Sequence, residues 1–263
     1  MSGFVRGGGG WECDGVPLAA MAAEVGTPVY VYSAAVIRER VRRFRAGFEP
    51  WPHAVHYALK ANSNLAVVEV VRTAGGLVDA NSGGEIEVAL RAGFAPGDIV
   101  FTGVGKTPAE IDRAVELGVK AINAESAGEL ERISWAARRR GTTARVALRV
   151  NPDIAADSHP HISTGLSRHK FGVAIGDARA IVRDASGREG LRFTGLHIHV
   201  GSQMLGLEPL RRAAASVVVL AQELADDGVK LEHLDLGGGL GIAYDEAGGE
   251  PPPVEAYAEA LVE

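Results

Sequence analysis

Residues 54–64 read AVHYALKANSN. A short apolar run stops at Lys60 and gives way to small and amide side chains. This is the pattern of a buried strand that ends in a polar loop before a helix. The same transition recurs along the chain. Apolar runs end near Asp79, Phe101, Asn123 and Val150, and recur at Phe193–Val200 and Leu231–Leu236. Between them lie helical stretches at Leu65–Ala74, Gly84–Ala92, Thr107–Leu117, Ala127–Arg140, Gly176–Ala185 and Leu210–Asp227. Strands that alternate with helices predict a parallel sheet.

Two parallel architectures fit this rhythm. An open dinucleotide-binding sheet carries GxGxxG straight after an early strand, and no such run stands there. Polar residues instead cluster after many strand ends: Lys60-Ala-Asn-Ser, Asn81-Ser-Gly-Gly, Arg149-Val-Asn-Pro, His199-Val-Gly-Ser and Gly237-Gly-Gly. That distribution suits a barrel whose site is assembled from its C-terminal loops.

The predicted fold is therefore α/β, a (β/α)8 barrel that is incomplete within these residues. Seven strands are predicted at 54–58, 76–79, 98–101, 120–123, 144–150, 193–200 and 231–236. An eighth is expected further on, yet Glu263 lies within or just after the predicted helix Val254–Leu261. Residues 1–27 read as an N-terminal extension, Gly-rich and expected to be mobile over 1–15, with a short helix from Pro17 to Val25. Residues 28–53 read as a strand, Pro28–Tyr32, and a helix capped by Ser33 that leads into the barrel. Residues 54–263 form the barrel itself.

Composition narrows the function. The 263 residues carry 27 Lys and Arg against 33 Asp and Glu, a net charge of −6. That balance argues against a nucleic-acid partner. One cysteine, Cys13, excludes an internal disulfide framework and Cys-rich metal or iron–sulfur sites. No apolar run is long enough for a membrane span, and Met1–Gly10 has no signal-peptide core, so the cytoplasm is expected.

Several loops carry candidate chemistry. Lys60 reads either as a surface amine or as a Schiff-base lysine whose pKa a crowded, partly apolar pocket lowers. His197 and His199, in TGLHIHVGSQ, share one face of a strand. They read as a structural hydrogen-bonding pair or as ligands, although no third metal ligand stands at a fixed spacing. Gly201 and Ser202 follow at the loop, where a glycine and a hydroxyl suit a phosphate. The run DLGGGLGI at 235–242 follows the seventh strand, where barrels often seat phosphate. Asn81 or Ser82 caps a helix with Glu85 in its first turn, or serves the site together with Asp79. Arg149 binds an anion or pairs with an acid. The long polar segment 153–172 holds His159, His161 and His169, whose spacing fits no simple ligand set. No metal is assigned.

In combination these motifs resemble diaminopimelate decarboxylases, of the alanine-racemase-like barrel class of pyridoxal 5'-phosphate (PLP) enzymes. The resemblance runs from about Pro28 to Tyr244. YALKAN at 57–62, VDANSGGE at 78–85, RVNPD at 149–153, the HPHISTGL…KFG segment at 159–172, HIHVGSQ at 197–203 and GGGLGI at 237–242 carry it. It implies that Lys60 holds PLP and that His199 stacks on the cofactor ring, with His197 a neighbour. It implies phosphate contacts from Ser202, Gly238 and Gly239, and polar contacts near the lysine and cofactor from Asp79 and Arg149.

The implied activity is decarboxylation of meso-2,6-diaminopimelate to L-lysine and carbon dioxide, in a cytoplasmic homodimer. Action on ornithine, arginine or a D-amino acid, and a non-catalytic regulatory role, are the alternatives. The resemblance also implies an EPGR-type motif after an eighth strand and a CES-type motif in a C-terminal β-domain. Neither occurs in these residues, which therefore read as an N-terminal portion with little or no decarboxylase activity by itself.

Overall fold

Each short apolar run finds its neighbour in sequence as its neighbour in space. The computed structural model describes residues 3–154, 171–244 and 249–262. Among them, the barrel strands are β4 (His56–Ala58), β5 (Leu77–Ala80), β6 (Ile99–Phe101), β7 (Ala121–Ala124), β8 (Ala144–Asn151), β10 (Leu191–His197) and β11 (His233–Asp235). They pair in consecutive order, all parallel, as a curled sheet with β4 and β11 at its edges. The short strand β9 (Val173–Ala174) pairs parallel with the end of β8, Val150 beside Val173 and Asn151 beside Ala174. This is a barrel sheet, incompletely closed.

Helices α3 (Leu65–Thr73), α4 (Gly83–Arg91), α5 (Pro108–Leu117), α6 (Ala127–Arg139), α7 (Ile175–Ser186) and α8 (Glu208–Asp226) connect the strands. Their starts are written in the sequence. Asn64, Ser82 and Ser126 cap α3, α4 and α6 with side-chain oxygens. At α5, Glu110 N–H donates to Thr107 Oγ1 at 3.3 Å and Thr107 N–H to Glu110 Oε2 at 2.9 Å, a reciprocal capping box.

The strands alternate between two faces. Val78, Ala80, Ile99, Phe101, Ile122, Val146, Leu148 and Leu196 are buried in one core with Val68, Ile86, Ile111, Leu130, Val182 and Val217 of the helices. The intervening residues face the barrel interior, and several are polar: Asp79, Asn123, Arg149, His197 and Asp235. Gly195 stands opposite His233, and a Cβ there would lie 2.4 Å from that ring, so the position takes glycine.

The N-terminal region departs from expectation. Residues 1–15 were expected to be mobile, but β1 (Phe4–Gly7), β2 (Gly10–Cys13) and β3 (Val16–Pro17) form an antiparallel meander that leads into α1 (Leu18–Val25). Asp14 anchors it: its carboxylate accepts from Ser33 Oγ at 2.6 Å and from the Ala35 N–H at 3.1 Å. These bonds sit at the start of α2 (Ala34–Gly47), where Ser33 also caps the helix.

Pro28–Tyr32 is not a strand. Its alternation suits one, but it pairs with no strand among the described residues, and Tyr30 is 89% exposed. A strand needs a neighbour to take its backbone hydrogen bonds.

Helix α9 (Val254–Val262) packs on α2 and α8, with Tyr257 and Met204 buried beside Phe44 and Phe48. Arg43 forks onto Glu255 with two bonds of 2.7 Å. So α9 links the helix before β4 to the helix before β11.

Phe101 is fully buried between sheet and helices. Phe101→Ala is expected to lower unfolding free energy by about 3–5 kcal/mol. Urea unfolding followed by circular dichroism checks this, and an unchanged midpoint would contradict the assigned core.

Candidate active site

The site lies where the strands end. Lys60 sits in a single turn of 3-10 helix, Leu59–Ala61, directly after β4. Leu59 is fully buried and anchors the turn, while Lys60 is exposed. Tyr57 Oη donates to the Asn62 carbonyl at 3.1 Å, and Asn62 Oδ1 accepts from the Asn64 N–H at 2.9 Å. The polar tail of the KANSN motif is thus scaffolding that presents the amine. Among the described residues the amine of Lys60 stands open to solvent.

Asp79, at the end of β5, is half-buried beside it. Burial pushes its carboxyl up to about 7, against a hydrogen bond from Thr102 and the pull of Lys60. Its Oδ1 has no hydrogen-bond partner among the described residues. Asn81 and Ser82 play the helix-start role: Ser82 caps α4, and Glu85 accepts from the Asn81 N–H at 2.7 Å.

Arg149 pairs with an acid. Its Nη1 lies 2.6 Å from Glu125 Oε1, and its guanidinium sits 5.2 Å from the Phe171 ring centroid. Next to this pair is a second one. Lys106 Nζ donates to Glu129 Oε1 at 2.6 Å and to the Asn123 carbonyl at 2.7 Å, with both charged side chains almost fully buried.

His197 is 4% exposed and His199 half-buried. Burial pushes both imidazoles down to about 4, and the neighbouring Lys60 and Arg149 add to the effect at His199. At neutral pH both rings are therefore uncharged.

Two loops close the far side. Gly237 (φ +72°) and Gly239 (φ +106°) adopt backbone that favours glycine. A Cβ at Gly237 would lie 2.4 Å from the Ile198 carbonyl, and one at Gly239 2.1 Å from the Gly201 carbonyl. The glycine turn is thus pressed onto the His199–Ser202 segment. Met204 N–H donates to the Gly239 carbonyl at 2.8 Å, and the Ile242 N–H to Gln203 Oε1 at 3.0 Å. Gly238 faces open space and Ser202 is exposed.

Lys60, Asp79, Arg149, His199, Ser202, Gly238 and Gly239 are all carried by the C-terminal ends of the strands or the loops that follow them. His159, His161 and His169 lie outside the described residues. Among the described residues, no group of three or more His, Cys, Asp or Glu is placed to hold a metal ion. The sequence reading missed Lys106, Glu125, Glu129, Thr102 and Asn123. Their signal was weak, because single polar residues near strand ends also serve as ordinary loop chemistry.

These parts fit a phosphorylated aldehyde. An exposed primary amine is available for covalent attachment, and a backbone-lined glycine turn is available for the phosphate. Asp79 Oδ1 and His197 Nδ1 remain unpartnered inside. A parallel barrel with this mouth defines the class of pyridoxal-phosphate barrel domains.

Comparison with known proteins agrees. Residues 34–263 match the family described as Pyridoxal-dependent decarboxylase, pyridoxal binding domain. The diaminopimelate decarboxylase of Pseudomonas fluorescens is 44% identical over 264 residues, which cover 100% of this chain and 63% of that protein. The enzyme of the same name from Neisseria meningitidis serogroup A is 43% identical over 95% of this chain and 61% of its own length. The crystal structure of diaminopimelate decarboxylase from M. jannaschii in co-complex with L-lysine superposes with a TM-score of 0.90 at 34% identity, over 100% of this chain and 63% of that one. The chain thus spans about three fifths of the length of the curated relatives it matches. It belongs to the pyridoxal-dependent decarboxylase family, as the pyridoxal-binding domain.

Two measurements test this electrostatic arrangement. Lys106→Met leaves Glu129 buried without its partner and is expected to lower stability by about 3–5 kcal/mol, while Lys106→Met with Glu129→Leu recovers most of it. Denaturant unfolding of both variants decides; equal losses would contradict the pairing.

His197 supplies a pH dependence. Its folded value near 4 lies below its ordinary 6.5, so the unfolded chain binds more protons between these limits. Its contribution is complete above pH 6.5 and is lost as pH falls toward 4, by roughly 3 kcal/mol. Asp79, raised from 3.8 to about 7, works in the opposite sense. The difference between wild type and His197→Gln cancels Asp79, and a pH-independent difference would refute the assignment.

Proposed function

We propose that this chain is the cofactor-binding part of a decarboxylase that converts meso-2,6-diaminopimelate to L-lysine and carbon dioxide. The observation that carries the reading is the identity to curated diaminopimelate decarboxylases over 95–100% of the chain. L-lysine in the M. jannaschii complex is consistent with it. A cytoplasmic homodimer is proposed for the protein. Among the described residues no helix is long and apolar enough to cross a membrane.

PLP, when bound, supplies an electron sink for the pair left behind as the carboxylate departs. The chain's own residues hold it and set its surroundings. Lys60 offers the amine that ties the cofactor to the protein. Ser202, Gly238 and Gly239 form its phosphate seat. His199, uncharged at neutral pH, borders Lys60 without repelling its charge. Asp79, with a carboxyl near 7, holds or releases a proton beside Lys60 within the physiological range. Arg149, already paired with Glu125, brings little net charge and orders the mouth instead.

The test is carbon dioxide release by the encoded protein that contains this chain. Meso-diaminopimelate is expected to be turned over with L-lysine as product, and ornithine and arginine far more slowly. Lys60→Ala is expected to fall to background. Preferred turnover of ornithine or arginine would replace the proposed substrate, and undiminished activity of Lys60→Ala would overturn the reading.

A further inference from the structure

Asp235 is the last residue of β11, its side chain turned into the barrel. Its Oδ1 accepts from the Gly237 N–H at 2.9 Å, a carboxylate bonded to the backbone two residues on. That bond fixes the first residue of the glycine turn. Its Oδ2 lies 3.4 Å from Asn123 Nδ2. Asn123 is fully buried, and the same amide donates to Thr102 Oγ1 at 3.0 Å. A run of hydrogen bonds therefore leads from Thr102, just after β6, through Asn123 to the carboxylate that holds the glycine turn.

Gly237 is packed closely against the preceding strand end: a Cβ there would lie 2.4 Å from the Ile198 carbonyl and 3.1 Å from His199 Nδ1. Asp235 holds its N–H at 2.9 Å. The next residue, Gly238, then faces the open mouth. We propose that Asp235 is a positioning residue for the phosphate of the cofactor: it locks the glycine turn in the shape that receives a phosphate group, and makes no contact with the aldehyde end. Asn123 steadies Asp235 in this task. The inference rests on the reading of the mouth as a PLP seat.

The experiment compares two aldehydes, PLP and pyridoxal, which differ by the phosphate. Each is titrated into the protein and followed by visible absorbance. Asp235→Ala is expected to weaken PLP binding about tenfold, the equivalent of ~1.4 kcal/mol, and to leave pyridoxal binding unchanged. Asp235→Asn keeps an oxygen for the Gly237 N–H and is expected to recover most of the affinity. If Asp235→Ala does not fold, Asp235→Glu, which displaces the acceptor but keeps the charge, is expected to show the same selective loss. Equal loss of both aldehydes, or no loss of PLP, would overturn the positioning role. A wild-type protein that binds neither aldehyde would instead overturn the PLP reading, and the inference with it.

Discussion

The buried amide of Asn123 is the point on which the barrel interior depends. Its two N–H groups reach Thr102 on one side and Asp235 on the other, and its backbone carbonyl accepts from Lys106. A buried N–H needs an acceptor, and both amide N–H groups of Asn123 find one, while its Oδ1 has no hydrogen-bond partner among the described residues. The need for acceptors joins the loop after β6 to β7 and β11 through side chains as well as through the ladder.

The same logic governs charge at the mouth. Arg149 and Lys106 each meet a carboxylate, and His197 and His199 are kept neutral by burial. The cations nearest the site are therefore compensated before any ligand arrives. Lys60 is the exception, exposed and presented by a turn that the buried Leu59 anchors. Asp79 stands beside it, a partly desolvated carboxyl with an unfilled oxygen. A mouth organised in this way reserves one reactive amine and one titratable carboxyl for whatever binds there.

Much of this was legible in the sequence. The alternation of apolar runs and capped helices located all seven strands within a few residues, because parallel strands buried on one face need β-branched and aliphatic side chains there. Ser33 and Ser82 announced helix starts through their own oxygens. Pro28–Tyr32 misled, since alternation reports a face that suits a sheet and not the presence of a partner strand. The glycines of 1–15 misled in the opposite direction: they permit the tight turns of a meander, and Asp14 supplies the anchor. At the site, the lysine and the glycine turn were visible because their residue types are unusual at strand ends. The Lys106–Glu129 and Arg149–Glu125 pairs were not, because each is set by register between strands distant in sequence.

The account stands on the claim that Lys60 is the single covalent anchor at this mouth. Incubation with PLP, reduction with borohydride and peptide mapping by mass spectrometry tests it directly. The account predicts one pyridoxyl label, on the peptide that contains Lys60. A label on Lys106, Lys120, Lys170 or Lys230 in its place would contradict it.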